Sequence, residues 1–284
     1  MTILNNNKLY IIAMFLICFC HANAQEQNDS FPDIDIILSK EMMDNRYKGI
    51  TFLENMCITN NRFILLADKD SLYILGYGGI ASYGTIEKNI TAFCTSKGTI
   101  YYSKQNYIVQ IDSLGENTVA TLPFVPLKIW NGVDAIYAIG EYNGEFVLFA
   151  IFLQYNKLIK LISLQDELLN VFERGKYIYA ITTKEILIIN GDKYEYITEP
   201  LPSDVLSDIN SVTIDFDKNA IYISCNTGIY KYHQHNLQKI YDNNGILCFD
   251  KDGLVLFNAH DCTIFRFRNK ILYPEQHEVI IETR

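Results

Sequence analysis

Three observations predict an all-β chain. An aliphatic–tyrosine pair recurs about every 40 residues, short turn clusters rich in Gly and Asn separate alternating apolar runs, and helical periodicity is scarce. Together they predict a six-bladed β-propeller with blades of about four antiparallel strands, preceded by a signal peptide. The length of 284 residues and an apolar share of 49% suit such a fold. A chain of this size buries roughly 75% of its unfolded surface, so global disorder is excluded.

The chain divides into residues 1–24 as a signal peptide, 25–49 as an N-terminal segment with a ring-closing strand, and 50–284 as the propeller domain. The first part carries one charge, Lys8, then an apolar run from Leu9 to Cys20, then Ala22-Asn23-Ala24 ahead of a polar stretch. That layout predicts export and cleavage after Ala24. A membrane anchor fits less well, because a spanning helix needs roughly 20 apolar residues and this run holds about 12. No other stretch is long and apolar enough to span, so the expected destination is secreted or periplasmic, without a membrane span in the mature chain.

In the second part, the run Ile34 to Leu38 has no blade of its own. It is expected to pair with the last blade, with Val279 to Glu282 also contributing there, so that closure hides sheet edges which would otherwise aggregate.

The repeat itself is marked by Ile100-Tyr101, Ile136-Tyr137, Ile178-Tyr179 and Ile221-Tyr222, with Phe63-Ile64 and Leu254-Val255 as degenerate copies. Successive steps are about 37, 36, 42, 43 and 33 residues, the span of one four-stranded blade. Each pair opens a run that alternates with period 2, as a strand does. The intervening clusters, among them Asn143-Gly144, Asn226-Thr227-Gly228 and Asp252-Gly253, supply the positive φ that tight hairpins need. Ser39 to Asp44 and Leu164 to Leu169 are the best helical candidates, and strand plus turn suits both.

The copies FDKDG-LVLFN and NTG-IYKY resemble the exported β-propellers of the NHL and two-component-regulator-propeller type, over roughly Thr51 to Arg268. The Gly-His and Trp-Asp signatures of WD40 blades are missing, and Trp130 is the only tryptophan. The resemblance implies radial sheets around a central channel, with ligands bound by the loops at one mouth.

Charge narrows the partners. There are 33 Asp+Glu against 24 Lys+Arg, a formal charge of -9, and no basic cluster. Affinity for phosphates comes from Lys and Arg, so nucleic acid is not expected as a partner. No P-loop, dinucleotide fingerprint, nucleophile elbow or zinc-protease motif is present, and no cofactor is expected.

Several short constellations invite chemistry. Strand alternation would put His233 and His235 on one face, as a metal site could use, but two ligands do not complete one. His260-Asp261-Cys262 has the same spacing, and a turn explains it equally well. Asp68-x-Asp70, Asp215-x-Asp217-x-Asn219 and Asp250-x-Asp252-Gly253 look like starts of calcium loops, yet the twelfth-position acid and the other oxygens are not in register, so turn capping is expected. Cys57, Cys94, Cys225, Cys248 and Cys262 remain after cleavage, an odd number, and are read as mainly buried thiols. Neither a metal nor a catalytic residue is assigned.

The one stretch read as an exposed aromatic loop is LGYGGIASYG, with Tyr73, Tyr77 and Tyr83 as candidate binding residues. Its competing reading is a wide inter-blade turn. The function expected is an exported non-catalytic binding or scaffold module that recognises a protein or an envelope or extracellular glycan through propeller-face loops. The alternative is a propeller hydrolase or lyase with acidic or metal-assisted residues at the channel mouth.

Overall fold

The structure is a computed structural model that describes residues 34–39, 41–42, 53–59, 62–67, 71–76, 79–85, 90–96, 99–112, 115–193, 195–202, 206–250, 253–259 and 261–268. Six four-stranded antiparallel sheets form the blades. Blade 1 holds β2 (Leu53–Thr59), β3 (Arg62–Ala67), β4 (Ser71–Gly76) and β5 (Gly79–Thr85); blade 2 holds β6 (Ile90–Ser96), β7 (Thr99–Lys104), β8 (Tyr107–Asp112) and β9 (Gly115–Thr121). Blade 3 holds β10 (Lys128–Asn131), β11 (Ile136–Tyr142), β12 (Glu145–Phe152) and β13 (Lys157–Leu164). Blade 4 holds β14 (Leu168–Arg174), β15 (Tyr177–Thr182), β16 (Glu185–Asn190) and β17 (Tyr196–Pro200). In blade 5 the strands are β18 (Ile209–Asp215), β19 (Ala220–Cys225), β20 (Gly228–His233) and β21 (Asn236–Tyr241). Blade 6 joins β22 (Ile246–Asp250), β23 (Gly253–Asn258) and β24 (Thr263–Arg268) to β1 (Ile34–Leu38) from the far end of the chain.

The repeat markers fall on equivalent strands. Each pair lies on the second strand of its blade, β3, β7, β11, β15, β19 or β23. That strand is flanked by two others and covered by neighbouring blades, so both of its faces are apolar: β7 and β11 are buried along most of their length. The first strands β2, β6, β10, β14, β18 and β22 touch one another in succession and ring the axis.

The core is divided among the blade interfaces. Six apolar clusters exist, one for each pair of neighbours, including the pair formed by blades 6 and 1. In that last cluster Leu38 from β1 packs with Phe63 and Leu65 of β3 and Val255 and Phe257 of β23. Closure is therefore made by side chains as well as by the β1–β24 ladder, in which Ile34 pairs with Phe267 and Leu38 with Ile264. The expected pairing of this strand with the last blade is observed. Val279 to Glu282 and the signal segment lie outside the described residues.

The helical candidate at Leu164 to Leu169 does not form a helix. Leu164 ends β13 and Leu168 begins β14, so that stretch is strand, turn and strand. At the other, Glu41 and Met42 are helical, and the Ser39 hydroxyl accepts a hydrogen bond from the Met42 N–H at 3.2 Å in the manner of an N-cap. A 3-10 turn at Leu153–Tyr155, closed by Asn156 at φ 45, has no forerunner in the sequence pattern.

Candidate functional site

The first strands present one unpaired backbone edge to the axis, and neighbouring blades satisfy part of it. Asn170 Nδ2 donates to the Val212 carbonyl at 3.1 Å, the Leu247 N–H donates to Ser211 Oγ at 2.9 Å, and Lys128 Nζ donates to the Leu168 carbonyl at 3.3 Å. Buried polar groups of this kind need partners, so these bonds belong to the scaffold.

Two carboxylates on first strands, Glu173 on β14 and Asp215 on β18, are also engaged. Glu173 Oε2 accepts from the Val133 N–H at 2.8 Å and from the Tyr137 hydroxyl at 2.9 Å, which locks blade 3 to blade 4. Asp215 Oδ1 accepts from the N–H groups of Asp217 and Lys218, both at 3.1 Å, and so builds the turn after β18. Among the described residues, no group of three or more His, Cys, Asp or Glu could hold a metal ion.

Among the residues whose side chains are described, large apolar groups are exposed both on strands, such as Tyr107, Phe146 and Tyr196, and in connections, such as Val125, Leu127, Val133 and Tyr155. The crossover from blade 2 to blade 3 shows how this arises. Residues 122–127 bend at 123, 124 and 127, and their burial alternates: Leu122, Phe124 and Pro126 are buried, while Pro123, Val125 and Leu127 are exposed. Val125 is 50% exposed and Leu127 is 52% exposed.

This segment continues the β10–β11 ladder, since the Leu127 N–H donates to the Ile139 carbonyl at 2.8 Å. It lies flat because Gly140 leaves room: a Cβ there would strike the Phe124 ring and approach the Val125 carbonyl at 2.8 Å. Phe124 in turn packs on Phe149, with centroids 5.2 Å apart. Proline at positions 123 and 126 removes two backbone donors and keeps the exposed row from templating sheet growth.

A small cleft of about 120 Å³ lies where the end of β9 meets the 3-10 turn of blade 3. Thr121, Leu153, Asn156 and Lys157 contribute to its wall. Tyr155, between Leu153 and Asn156, is 75% exposed.

The residues singled out from the sequence fare differently. Tyr73 is half-buried on β4 and packs against the cluster between blades 6 and 1. Tyr83 lies on β5 at a register shift, between Ser82 (paired with Tyr73) and Gly84 (paired with Leu72). Tyr77 is outside the described residues. The stretch that holds them is a hairpin within blade 1, with Gly76 paired to Gly79, and not a turn between blades.

The one-face placement of His233 and His235 does not hold. β20 ends at His233, and Gln234 and His235 adopt φ of 49 and 63, so a two-residue hairpin turn interrupts the alternation. His233 Nδ1 lies 3.0 Å from the Asn219 carbonyl, and His235 Nδ1 lies 3.3 Å from the Tyr232 hydroxyl. Cys262 is likewise in a turn, at φ 50, with its thiol 3.7 Å from the Ala259 carbonyl; His260 is outside the described residues. Asp68, Asp70 and Asp252 also fall outside them.

Cys94 and Cys225 are buried, Cys248 and Cys262 are half-buried, and none of these four forms a disulfide. Burial pushes the Cys94 thiol well above the ordinary range. Sequence reasoning missed the exposed row at 123–127; its only signal is the alternation of apolar and proline residues in LPFVPLK.

With the geometry in view, the solved structures it resembles can be placed. No family model matches the chain, and no curated protein matches it. A gluconolactonase of Xanthomonas campestris superposes with a TM-score of 0.61 at 11% identity, covering 78% of this chain and 87% of that one. The extracellular domain of a putative hybrid two-component system, BT4673 of B. thetaiotaomicron, gives 0.55 at 13% identity over 86% of this chain and 34% of that one, so this chain spans about a third of its length. The Neurospora crassa Pan2 WD40 domain gives 0.53 at 15% identity, over 77% and 76%. At such identities the similarity is one of fold: those structures are β-propellers, and this chain is an all-β propeller of six blades. Among the described residues, no helix is long and apolar enough to cross a membrane.

Proposed function

We propose that the chain is an exported recognition module that engages a protein or an envelope glycan through loops of blades 2 to 4, and does so without catalysis. The observation that carries this reading is the row Val125 and Leu127, side by side and each about half exposed on the crossover from blade 2 to blade 3. Adjacent exposed apolar side chains of this kind are what a recognition surface offers to a partner. The extracellular location of the BT4673 domain and the signal-like layout of residues 1–24 support export. The engaged state of Glu173 and Asp215 supports a scaffold role for these acids rather than an acidic active site at the channel.

The test is retention of envelope components by the immobilised mature chain, compared with a Val125→Asp/Leu127→Asp double variant of unchanged melting temperature. Loss of retention in the variant is expected. Hydrolysis of a sugar lactone by the purified protein, with or without added divalent metal, would favour the hydrolase alternative instead.

A further inference from the structure

β17 is the outermost strand of blade 4, and its free edge differs from those around it. The Asn190 N–H donates to the Glu195 carbonyl at 2.8 Å, and the Leu201 N–H donates to the Lys184 carbonyl at 2.7 Å. Backbone groups alternate in direction along a strand, so Tyr196, Thr198 and Pro200 turn theirs away from β16 and toward solvent. Pro200 thus stands where a missing N–H costs the ladder nothing. The N–H and C=O groups of Tyr196 and Thr198 are left open to a further strand.

Side chains are exposed on both faces of that edge. Tyr196, opposite Ile189, lies on the face toward blade 3 and is 52% exposed; Ile197, opposite Ile188, lies on the face toward blade 5 and is 44% exposed. Glu199, opposite Ile186, shares the face of Ile197. It is half-buried, and among the described residues no basic side chain pairs with it. Among β9, β13, β17 and β21, the outer strands whose side chains are all described, β17 alone sets two exposed large apolar residues side by side. Lys157 and Lys160 stand on β13 and Lys239 on β21, cations of the kind that keep foreign strands off an edge; β17 carries no Lys or Arg.

The chemistry of the edge selects its occupant. A strand added to β17 sets one side chain opposite Glu199 and another, two positions along, opposite Ile197. A cation at the first place and an apolar group at the second complement what is there. A second copy of the chain, with formal charge -9 and its own Glu195 and Glu199 on the same edge, complements it less.

We infer that the free edge of β17 binds an extended segment of a partner protein, with a Lys or Arg set opposite Glu199 and an apolar residue opposite Ile197. This goes beyond recognition by loops, because the contact is a strand added at the rim of the ring.

Calorimetry near neutral pH with the end-blocked peptides Thr-Val-Thr-Lys-Thr-Val-Thr and Thr-Val-Thr-Glu-Thr-Val-Thr tests it. Both read the same in either direction, so parallel and antiparallel addition are covered. The lysine peptide is expected to bind about tenfold tighter than the glutamate peptide or better, and Glu199→Gln to bring that ratio below about threefold. Thr198→Pro takes away an outward N–H but no bond to β16, and is expected to weaken the lysine peptide about tenfold or more at an unchanged melting temperature. Should Thr198→Pro fail to fold, the Glu199→Gln ratio decides. Equal binding of the two peptides, or no binding at millimolar concentration, overturns the inference. So does a ratio that Glu199→Gln leaves unchanged, or a wild-type dimer in ultracentrifugation that Thr198→Pro dissociates, which assigns the edge to a second copy. Val125→Asp/Leu127→Asp is expected to bind the lysine peptide like wild type, so that failure of the loop reading and failure of the rim site are told apart; a loss there places the peptide on the crossover and overturns the inference.

Discussion

The Tyr137 hydroxyl on β11 donates to Glu173 Oε2 on β14 across 2.9 Å, and the same carboxylate oxygen accepts the Val133 N–H. One acid on the first strand of blade 4 thus holds both the second strand and the first turn of blade 3. Glycine at position 132 makes this approach possible, because a Cβ there would collide with Glu173 Oε2. Burial, with the Glu173 charge next, drives the Tyr137 hydroxyl far above the ordinary tyrosine range.

Glu173→Ala leaves a half-buried hydroxyl and a backbone N–H without their acceptor, so it is expected to destabilise the fold by about 1–3 kcal/mol. Tyr137→Phe removes one of the two bonds and keeps the ring, so a loss nearer about 1 kcal/mol is expected. Urea unfolding of the two variants measures the order; a larger loss for Tyr137→Phe would show that the carboxylate is not the shared anchor.

Tyr137, Tyr101 and Tyr179 all have raised hydroxyl pKa values, each chiefly through burial. For a group whose folded value exceeds its unfolded value, stability is complete below the unfolded value and declines as pH rises past it. The unfolded reference is about 10, so the melting temperature is expected to fall steeply above about pH 10. Tyr137→Phe should flatten that fall, and a parallel decline in the variant would assign the alkaline sensitivity elsewhere.

Glu199 on β17 is also raised, by burial, but here the consequence lies at neutral pH. Its carboxyl carries no penalty below the unfolded value near 4.3 and the full penalty once ionised in the fold. Glu199→Gln is therefore expected to melt higher than wild type at pH 7 and to match it near pH 3.5. Equal melting temperatures at pH 7 would contradict this.

Gly253 holds φ +143, and a Cβ there would meet the Phe267 carbonyl at 2.5 Å. Because the obstacle is backbone, Gly253→Ala is expected to be severely destabilising, at about 2 kcal/mol or more. Gly144, at φ +81 with open space around it, should accept Asn at about 1 kcal/mol or less. Chemical denaturation of both variants gives the comparison.

Removal of Phe31 to Lys40 takes away β1, its ladder to β24 and the fully buried Leu38. A large drop in melting temperature, with aggregation through the bared β24 edge, is expected; unchanged stability would reject closure by this strand. Leu38→Ala alone should cost about 2–5 kcal/mol by emptying part of the seam between blades 6 and 1.

The ring was legible because its marker lies on the strand with least freedom. Ile136-Tyr137 and Ile100-Tyr101 sit on second strands covered on both faces, so each side chain there is constrained by packing. Turns obey no such period. His233-x-His235 looked like one face of a strand only until Gln234 and His235 turned back at positive φ. The exposed row Val125 and Leu127 was equally hidden, since the direction of a crossover is set by what it lies on, here Gly140 and the Phe124–Phe149 pair. Tyr73 reads as aromatic surface in sequence, but its neighbours across the seam, contributed by strands from the other end of the chain, half-bury it.

The β1–β24 ladder joins Ile34 to Phe267, residues roughly 230 positions apart. During synthesis the leading strand emerges long before its mate, and such non-local pairing is slow to form. A partly emerged chain can stack early blades on one another yet still hold IDIIL unmatched. The circle shuts last, so this closing pair of strands decides whether a newly made molecule survives quality control or joins its neighbours edge to edge.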